Sequence, residues 1–502
     1  MNTASILFRR PAPATLSLTS LLSLISLASL LSGCASVGPD YHVPKQALVN
    51  RPAAAAPFIG AAAPAFSSAA LPAQWWRLYD DPALDRLIGR ALAANTDLRV
   101  AAANLARSRA VEQETGVAAQ PQVAVNAAPA YGRASAAARG LPQPLAAGWS
   151  ADAGINVSYQ ADLFGKLARA MQSAGADTEA AQAALDLVRV TVAADTARAY
   201  TDACSAVRQA GVARQSVTLQ RQFVELTERR ARAGRGTALD GSRARSQLAQ
   251  LQASLPPLQA QQRTAQYRLA ALTGSMPAEM DLHGLACRQA PRLTTQIPVG
   301  DGAALLRRRP DIRQAERALA SSSARIGVAT ADLYPSISLG LAAGSSGALE
   351  RFGAANATRW SLGPLISWTL PLTGSAHSRI AQAEAGFDGA LARFDGAVLN
   401  ALKEVESALT VYARELERNA ALKTARDESA LAARQSHTLF DAGRIDFLTV
   451  LDADRTLAAL DAAWAASDGQ LATDQIALFL ALGGGWQAPA AAGVPAPLAV
   501  NR

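Results

Sequence analysis

The sequence predicts an α+β membrane protein made of one internally duplicated unit, each copy holding a transmembrane β-hairpin and long coiled-coil helices. Three observations carry this. First, residues 375–441 contain no Pro and only isolated Gly, while Val398, Leu402, Val405, Leu409 and Tyr412 recur at helical spacing. That is a helix of roughly 65 residues, about 100 Å long, too long to fold back into an ordinary globule. Lys403, Glu404, Glu406 and Arg414 interrupt it, which excludes a membrane span. Second, residues 165–274 repeat the layout of 374–485. Gly165 and Gly374 stand 209 residues apart, and so do Gly234 and Gly443. Third, two pairs of short segments alternate apolar and polar residues with period two, as half-buried strands do.

The repeat overrides the length. A chain of 502 residues alone suggests about three domains, whereas the spacing indicates a unit of about 210 residues used twice. Asp97-Leu98 matches Asp311-Ile312, and Pro121 matches Pro335, both 214 apart, so the first copy is about five residues longer before Gly165. The net charge of +8 raises the question of nucleic acid. The basic residues, nearly all Arg, are spread along helices opposite acids, and the longest basic run is Arg307-Arg308-Arg309. No nucleic-acid partner is expected.

Residues 1–33 read as a lipoprotein signal peptide. Arg9 and Arg10 form its positive end, and the apolar run ends in Leu31-Ser32-Gly33-Cys34. Acyl chains on Cys34 would tether the mature N-terminus to a membrane, each buried CH₂ contributing about 0.8 kcal/mol. Ordinary secretion with an incidental cysteine is the plainer alternative. Ala35 after the cysteine suits sorting to the outer membrane. Residues 34–74, rich in Pro and Ala, read as a lipidated extended tether. Trp75-Trp76 introduces Asp81-Pro82, a helix start, and that helix is expected to reach about Gly116.

The first repeat spans 75–274, with a β-hairpin over 121–162, a long helix, a tip at 234–240 and a return helix. From Trp149, apolar Ile155, Val157 and Tyr159 alternate with Asp152, Asn156 and Ser158. Pro256-Pro257 predicts a break in the return helix. Residues 275–300 form a connector packed outside the helical tube. The second repeat spans 301–485, with a hairpin over 335–372 and a tip at 442–447. Residues 486–502 are expected to be a flexible tail. Strands of about ten residues with one apolar face, flanked by Trp and Tyr, have the pattern of a transmembrane β-barrel. The alternative is a half-buried strand of a soluble sheet. Four strands are too few to close, since the smallest membrane barrels have about eight, and an open edge in lipid leaves backbone groups unpaired. The barrel reading therefore forces oligomerisation; three chains give 12 strands, continued by the long helices as a tube.

Cys204 lies on the first long helix and Cys287 in the connector. An oxidising compartment permits a disulfide between them, and two free thiols are the alternative. The four His residues show no metal-ligand spacing, and there is no P-loop, no dinucleotide-type turn and no Gly-x-Ser-x-Gly elbow. Neither enzyme activity nor a cofactor is expected, apart from the lipid on Cys34.

Several motifs together resemble the TolC-like outer-membrane efflux channel family, in its lipoprotein, NodT-type branch. They are Cys34 with Val37-Gly38-Pro39-Asp40-Tyr41, Trp76 with Asp81-Pro82, Asp162-Leu163-Phe164-Gly165-Lys166, Arg309-Pro310-Asp311-Ile312 and Val450-Leu451-Asp452-Ala453. The resemblance covers nearly all of 34–485. It implies a homotrimer with a 12-strand barrel in the outer membrane and a 12-helix periplasmic tunnel. It also implies a periplasmic adaptor and an inner-membrane RND-type pump as partners. The adaptor would dock on the tips at Gly234, Arg235, Gly236, Thr237, Gly443, Arg444 and Ile445. Asp452 falls on the position that supplies a lumen-facing acidic ring at the periplasmic gate. Where some members carry a second acid, this chain has Thr449, so one ring is expected. The resulting expectation is a passive exit duct for small molecules. A structural, envelope-spanning coiled-coil lipoprotein without transport is the competing reading.

Overall fold

The computed structural model describes residues 36–137, 140, 142–279, 287, 290–293 and 295–484. The signal peptide, Cys34 and the C-terminal tail lie outside the described residues. The chain forms two compact units.

One unit comprises residues 36–42, 110–176 and 320–388. At its centre is a four-stranded antiparallel sheet of β2 (Gln122–Gly132), β3 (Gly148–Ala161), β5 (Ser336–Ala348) and β6 (Thr358–Ser367), in that order. The register puts like with like. Val125 pairs Ile155, which pairs Ala343, which pairs Trp360; Val157 pairs Leu341, which pairs Leu362. One face is thus largely apolar, with Ser345 and Thr358 at one end, and the other is built from Ser, Asn, Gln, Ala and Gly, with Leu365 and the charged residues Asp152 and Arg359 the exceptions. The hairpins of the two repeats join through β3 and β5, which leaves β2 and β6 as edges. Strand ends differ from the sequence reading by a few residues, and β5 runs on through the Gly-Ser segment beyond Leu341.

The family-like motif near the N-terminus is anchored in this unit. Arg169 donates to the Val37 carbonyl at 3.0 Å and the Gly38 carbonyl at 3.0 Å, and pairs with Asp40 at 2.9 Å. Gly38 has φ +88°, and a Cβ there would lie 2.4 Å from the Gly327 Cα, so only glycine fits. Asp162 caps the following helix by accepting from the Leu167 and Ala168 amides.

The other unit comprises residues 43–109, 177–319 and 389–484. The tether reading needs correction here. Residues 43–74 are not a free linker: they form short helical turns at Leu48–Asn50, Pro52–Ala55 and Ile59–Ala62 and a strand, β1 (Phe66–Ser67), parallel to β4 (Ile297–Pro298) in the connector. Carboxylates of the second long helix hold this strap by its backbone. Asp395 accepts from the Leu48 amide at 2.8 Å, and Glu406 accepts from Ile59 and Gly60 at 2.7 and 2.9 Å. A segment poor in hydrophobic periodicity is ordered by acceptors on a distant part of the chain, which composition does not reveal.

The expected first helix is two: α1 (Pro82–Ala94) and α2 (Thr96–Val117). Asn95 turns the chain between them, accepting from the Asp97 and Leu98 amides and donating to the Leu272 carbonyl. Asp81 caps α1 as expected, and its other oxygen accepts from the Tyr200 hydroxyl at 2.9 Å. The long helices are α3 (Lys166–Arg232) and α8 (Ser375–Asp441), each 67 residues, and the return helices are α4 (Ala238–Ala253), α5 (Leu255–Leu272) and α9 (Phe447–Ala481). Between repeats lie α6 (Gly302–Arg308) and α7 (Pro310–Ala331). The diproline falls at the start of α5, and Ser254 keeps helical dihedrals, so the interruption is one residue wide.

Buried Trp75 stacks on Phe479 at 4.7 Å, and the Trp76 indole donates to Asp85. Arg309 grips Asp311 and Glu404 and donates to the Ala481 carbonyl at the end of α9. The structure joins Cys204 to Cys287, with Cα atoms 5.4 Å apart, pinning the connector to α3. Among the described residues no helix is long and apolar enough to cross a membrane.

Candidate functional site

Three places are candidates for function: the sheet, the helical tips, and the start of α9. On the sheet, the apolar face is bounded by aromatic rings at both ends. Tyr131 and Trp149 sit at one end with ring centroids 5.5 Å apart. Tyr159 and Trp368 sit at the other, near Tyr334, which stacks on Phe164 at 4.6 Å. Trp149 and Tyr159 are ten residues apart on one strand. At about 3.3 Å per residue that is about 33 Å. A tilt of about 40° reduces it to about 25 Å, the height of the apolar band of an outer-membrane barrel. Val123, Val125, Ile155, Leu339, Leu362 and Ile366 are all at least half exposed in the single chain. Such an apolar surface suits lipid and not water. The opposite face suits an aqueous lumen.

In the second unit, the two tips are built alike. Helix α3 ends with Gly234 at φ +71° and α8 with Gly443 at φ +70°. At the first tip the Arg235 amide donates to the Arg230 carbonyl at 2.8 Å and Gly234 to Ala231 at 3.1 Å. At the second, Arg444 donates to Leu439 at 2.8 Å and Gly443 to Phe440 at 2.9 Å. Each partner pair is offset by 209 residues, so the duplication extends to single hydrogen bonds. Both return helices are capped in the same register. Thr237 accepts from the Asp240 amide and Asp446 from the Thr449 amide.

Of the tip residues singled out from sequence, Gly234, Arg235, Gly236, Thr237, Gly443 and Arg444 are exposed. Ile445 departs from that expectation. It is half-buried against a cluster of Phe223, Val224, Ala244, Phe440, Phe447, Val450 and Leu451, which locks the two tips together. It is a packing residue because apolar burial here outweighs solvent contact. Thr449 serves the helix cap as well, since its hydroxyl donates to Asp446 at 2.5 Å. Bonds from the Thr449 hydroxyl, then from its amide, hold the Asp446 carboxyl below the usual carboxylate range.

Asp452 lies exposed on α9, one turn from Arg455 on the same stripe. Arg455 reaches across to α4, where its Nε donates to Gln247 at 2.9 Å. His437 of α8 lies 2.9 Å from Asp454 of α9, its ring edge-on to Phe223. The hydrogen bond to Asp454 pushes the His437 pKa up despite partial burial, and Asp441 adds to this. Sequence reasoning missed these cross-helix pairs. Only the exact phase of two helices brings such residues together, and residue type alone does not signal it.

The same layout recurs in known proteins. A model of the outer membrane efflux protein family matches twice, at residues 87–275 and 303–484, one match per repeat. Nodulation protein T of Rhizobium leguminosarum bv. trifolii is 28% identical over 466 residues, 93% of this chain and 97% of its own. Outer membrane protein OprJ of Pseudomonas aeruginosa is 30% identical over 475 residues, 91% of this chain and 94% of its own. The solved structure of the outer-membrane channel OprN superimposes with a TM-score of 0.83 at 35% identity, covering 90% of this chain and all of that one. The lipid-facing sheet and the duplicated hairpins are therefore parts of an outer-membrane exit duct, and this chain belongs to the outer membrane efflux protein family.

Proposed function

We propose that this chain is the outer-membrane component of a tripartite efflux system, working as a homotrimer of 12 strands and 12 long periplasmic helices. It is a passive duct for drugs or other small molecules. An inner-membrane RND-type pump supplies the energy and a periplasmic adaptor joins the two, docking on the exposed tip residues Gly234 to Thr237, Gly443 and Arg444. The chain performs no catalysis and carries no cofactor except the lipid on Cys34. Asp452 lines the resting periplasmic gate, where copies of one carboxylate gathered on an axis attract cations.

The observation that carries this reading is the sheet with one apolar face, one polar face and two open edges. A spacer needs no second, water-facing side. The test is purification with its lipid anchor, insertion into planar bilayers and recording of single-channel current. Discrete conductance steps are expected. A membrane-bound protein that never conducts, with adaptor added or without, would favour the structural-spacer reading instead. The anchor is tested separately: Cys34→Ser should abolish labelling by a radioactive fatty acid, and persisting label overturns it.

A further inference from the structure

The polar face of the sheet holds two charged residues among the described strands, and they meet. Arg359 on β6 places Nη2 at 2.8 and 2.9 Å from the two carboxylate oxygens of Asp152 on β3. The pair is separated by 207 residues in sequence and by a whole strand in the sheet. Glycines clear the way. Arg359 pairs with Gly344 of β5, and Gly344 pairs with Gly154 of β3. A Cβ at Gly344 would lie 2.4 Å from the Ala153 carbonyl oxygen, so no side chain fits beneath the guanidinium. The carboxylate is held from the other side as well. Asn126 on β2 donates to Asp152 at 3.2 Å, and Asn156 donates to Asn126 at 2.9 Å. One charge-neutral clasp thus links β2, β3 and β6 across the polar face, reaching over β5.

We infer that Arg359 and Asp152 set the ion selectivity of the barrel by cancelling each other, so that the wall passes cargo of either charge. This rests on the duct reading above. Both side chains remain substantially exposed, 53% and 38%. Exposed pairs of this kind contribute little to stability, so their consequence lies in the field. A water-filled pore with low-dielectric walls focuses any unbalanced charge, and each copy of the chain adds one more. Elsewhere the polar faces of the four strands carry Ser, Gly, Ala, Asn and Gln, with Leu365, and nothing else there would offset a bare charge.

The test compares the parent channel with Arg359→Gln, Asp152→Asn, their double variant and the charge swap Arg359→Asp with Asp152→Arg. Reversal potential is read in a KCl gradient. A second readout needs no open periplasmic gate: Ser346→Cys, on the same face and paired with Asp152, is modified from outside by a cationic and an anionic thiosulfonate. Arg359→Gln should shift the reversal potential toward the cation limit and raise the cationic-to-anionic rate ratio. Asp152→Asn should shift both the opposite way. The double variant and the swap should return to the parent values. If the parent never conducts, the duct reading falls. If it conducts while both single variants keep the parent potential and rate ratio, the clasp inference falls and the duct reading stands.

Discussion

At the residue scale, His437 and Asp452 flank the same tip yet answer to different physics. The raised pKa of His437 means that its folded form holds a proton more tightly than the unfolded chain. Its pairing with Asp454 is fully present below the ordinary histidine value of about 6.5 and is lost as pH rises through the elevated folded value. Amides of the α8–α9 hairpin near His437 are therefore expected to exchange hydrogen faster at about pH 8.5 than at about pH 5.5, after correction for intrinsic rates. His437→Gln should remove that difference. A titration placing His437 at or below the ordinary value would contradict the assignment. For Asp452, the alanine variant should weaken block by multivalent cations from the periplasmic side and reduce cation preference, leaving folding intact because the carboxylate is exposed. Identical conductance, selectivity and block in Asp452→Ala would remove Asp452 from the aperture.

At the scale of elements, the glycines divide into two kinds. Gly234 and Gly443 have positive φ, and a Cβ at either would meet nothing within 4 Å. The cost of Gly443→Ala is then purely backbone, about 1–2 kcal/mol for a left-handed L-residue, and appears as a lower melting temperature. Gly236 is not in that conformation, and a Cβ there makes only a 3.4 Å contact with the Ala231 nitrogen. Gly236→Trp, like Arg444→Glu, should therefore leave melting unchanged and weaken crosslinking to the adaptor. If crosslinking holds at parent level in both, the tips are only helix ends. The same contrast explains what the sequence made legible. Helix ends at Gly234 and Gly443, the lengths of α3 and α8, and the alternating faces of β3 and β6 follow from local chemistry, so they could be read from residue type and spacing. The bend at Asn95, the strap held by Asp395 and Glu406, the burial of Ile445 and the Arg359–Asp152 clasp depend on partners far away in sequence. Nothing in the local pattern distinguishes those side chains from solvated ones.

At the scale of the whole molecule, the open edges of the sheet are decisive. Strand β2 pairs only with β3 and β6 only with β5, so each presents an unpaired ladder over 11 and 10 residues respectively. Within lipid each unsatisfied backbone group costs several kcal/mol, and over a whole ladder this far exceeds the roughly 5–15 kcal/mol that holds an ordinary domain folded. A single chain with these edges is not stable in a bilayer, and pairing of β2 of one copy with β6 of the next is the expected closure. Native mass measurement in detergent should give three chains. Pairing is tested more sharply by fixing a cysteine at Ala124, on the polar face of β2, and walking a second along residues 359–367 of β6. Side chains alternate across a strand, so disulfide-linked chains should form with cysteines at odd positions such as Ser361 and Gly363, which share the polar face, and not at even positions such as Trp360 and Leu362. Linked products with that period of two, closing into a covalent three-chain species, establish β2-to-β6 closure. Crosslinking without periodicity, or a native mass of one chain in the membrane-competent form, would mean the edges are satisfied in some other way.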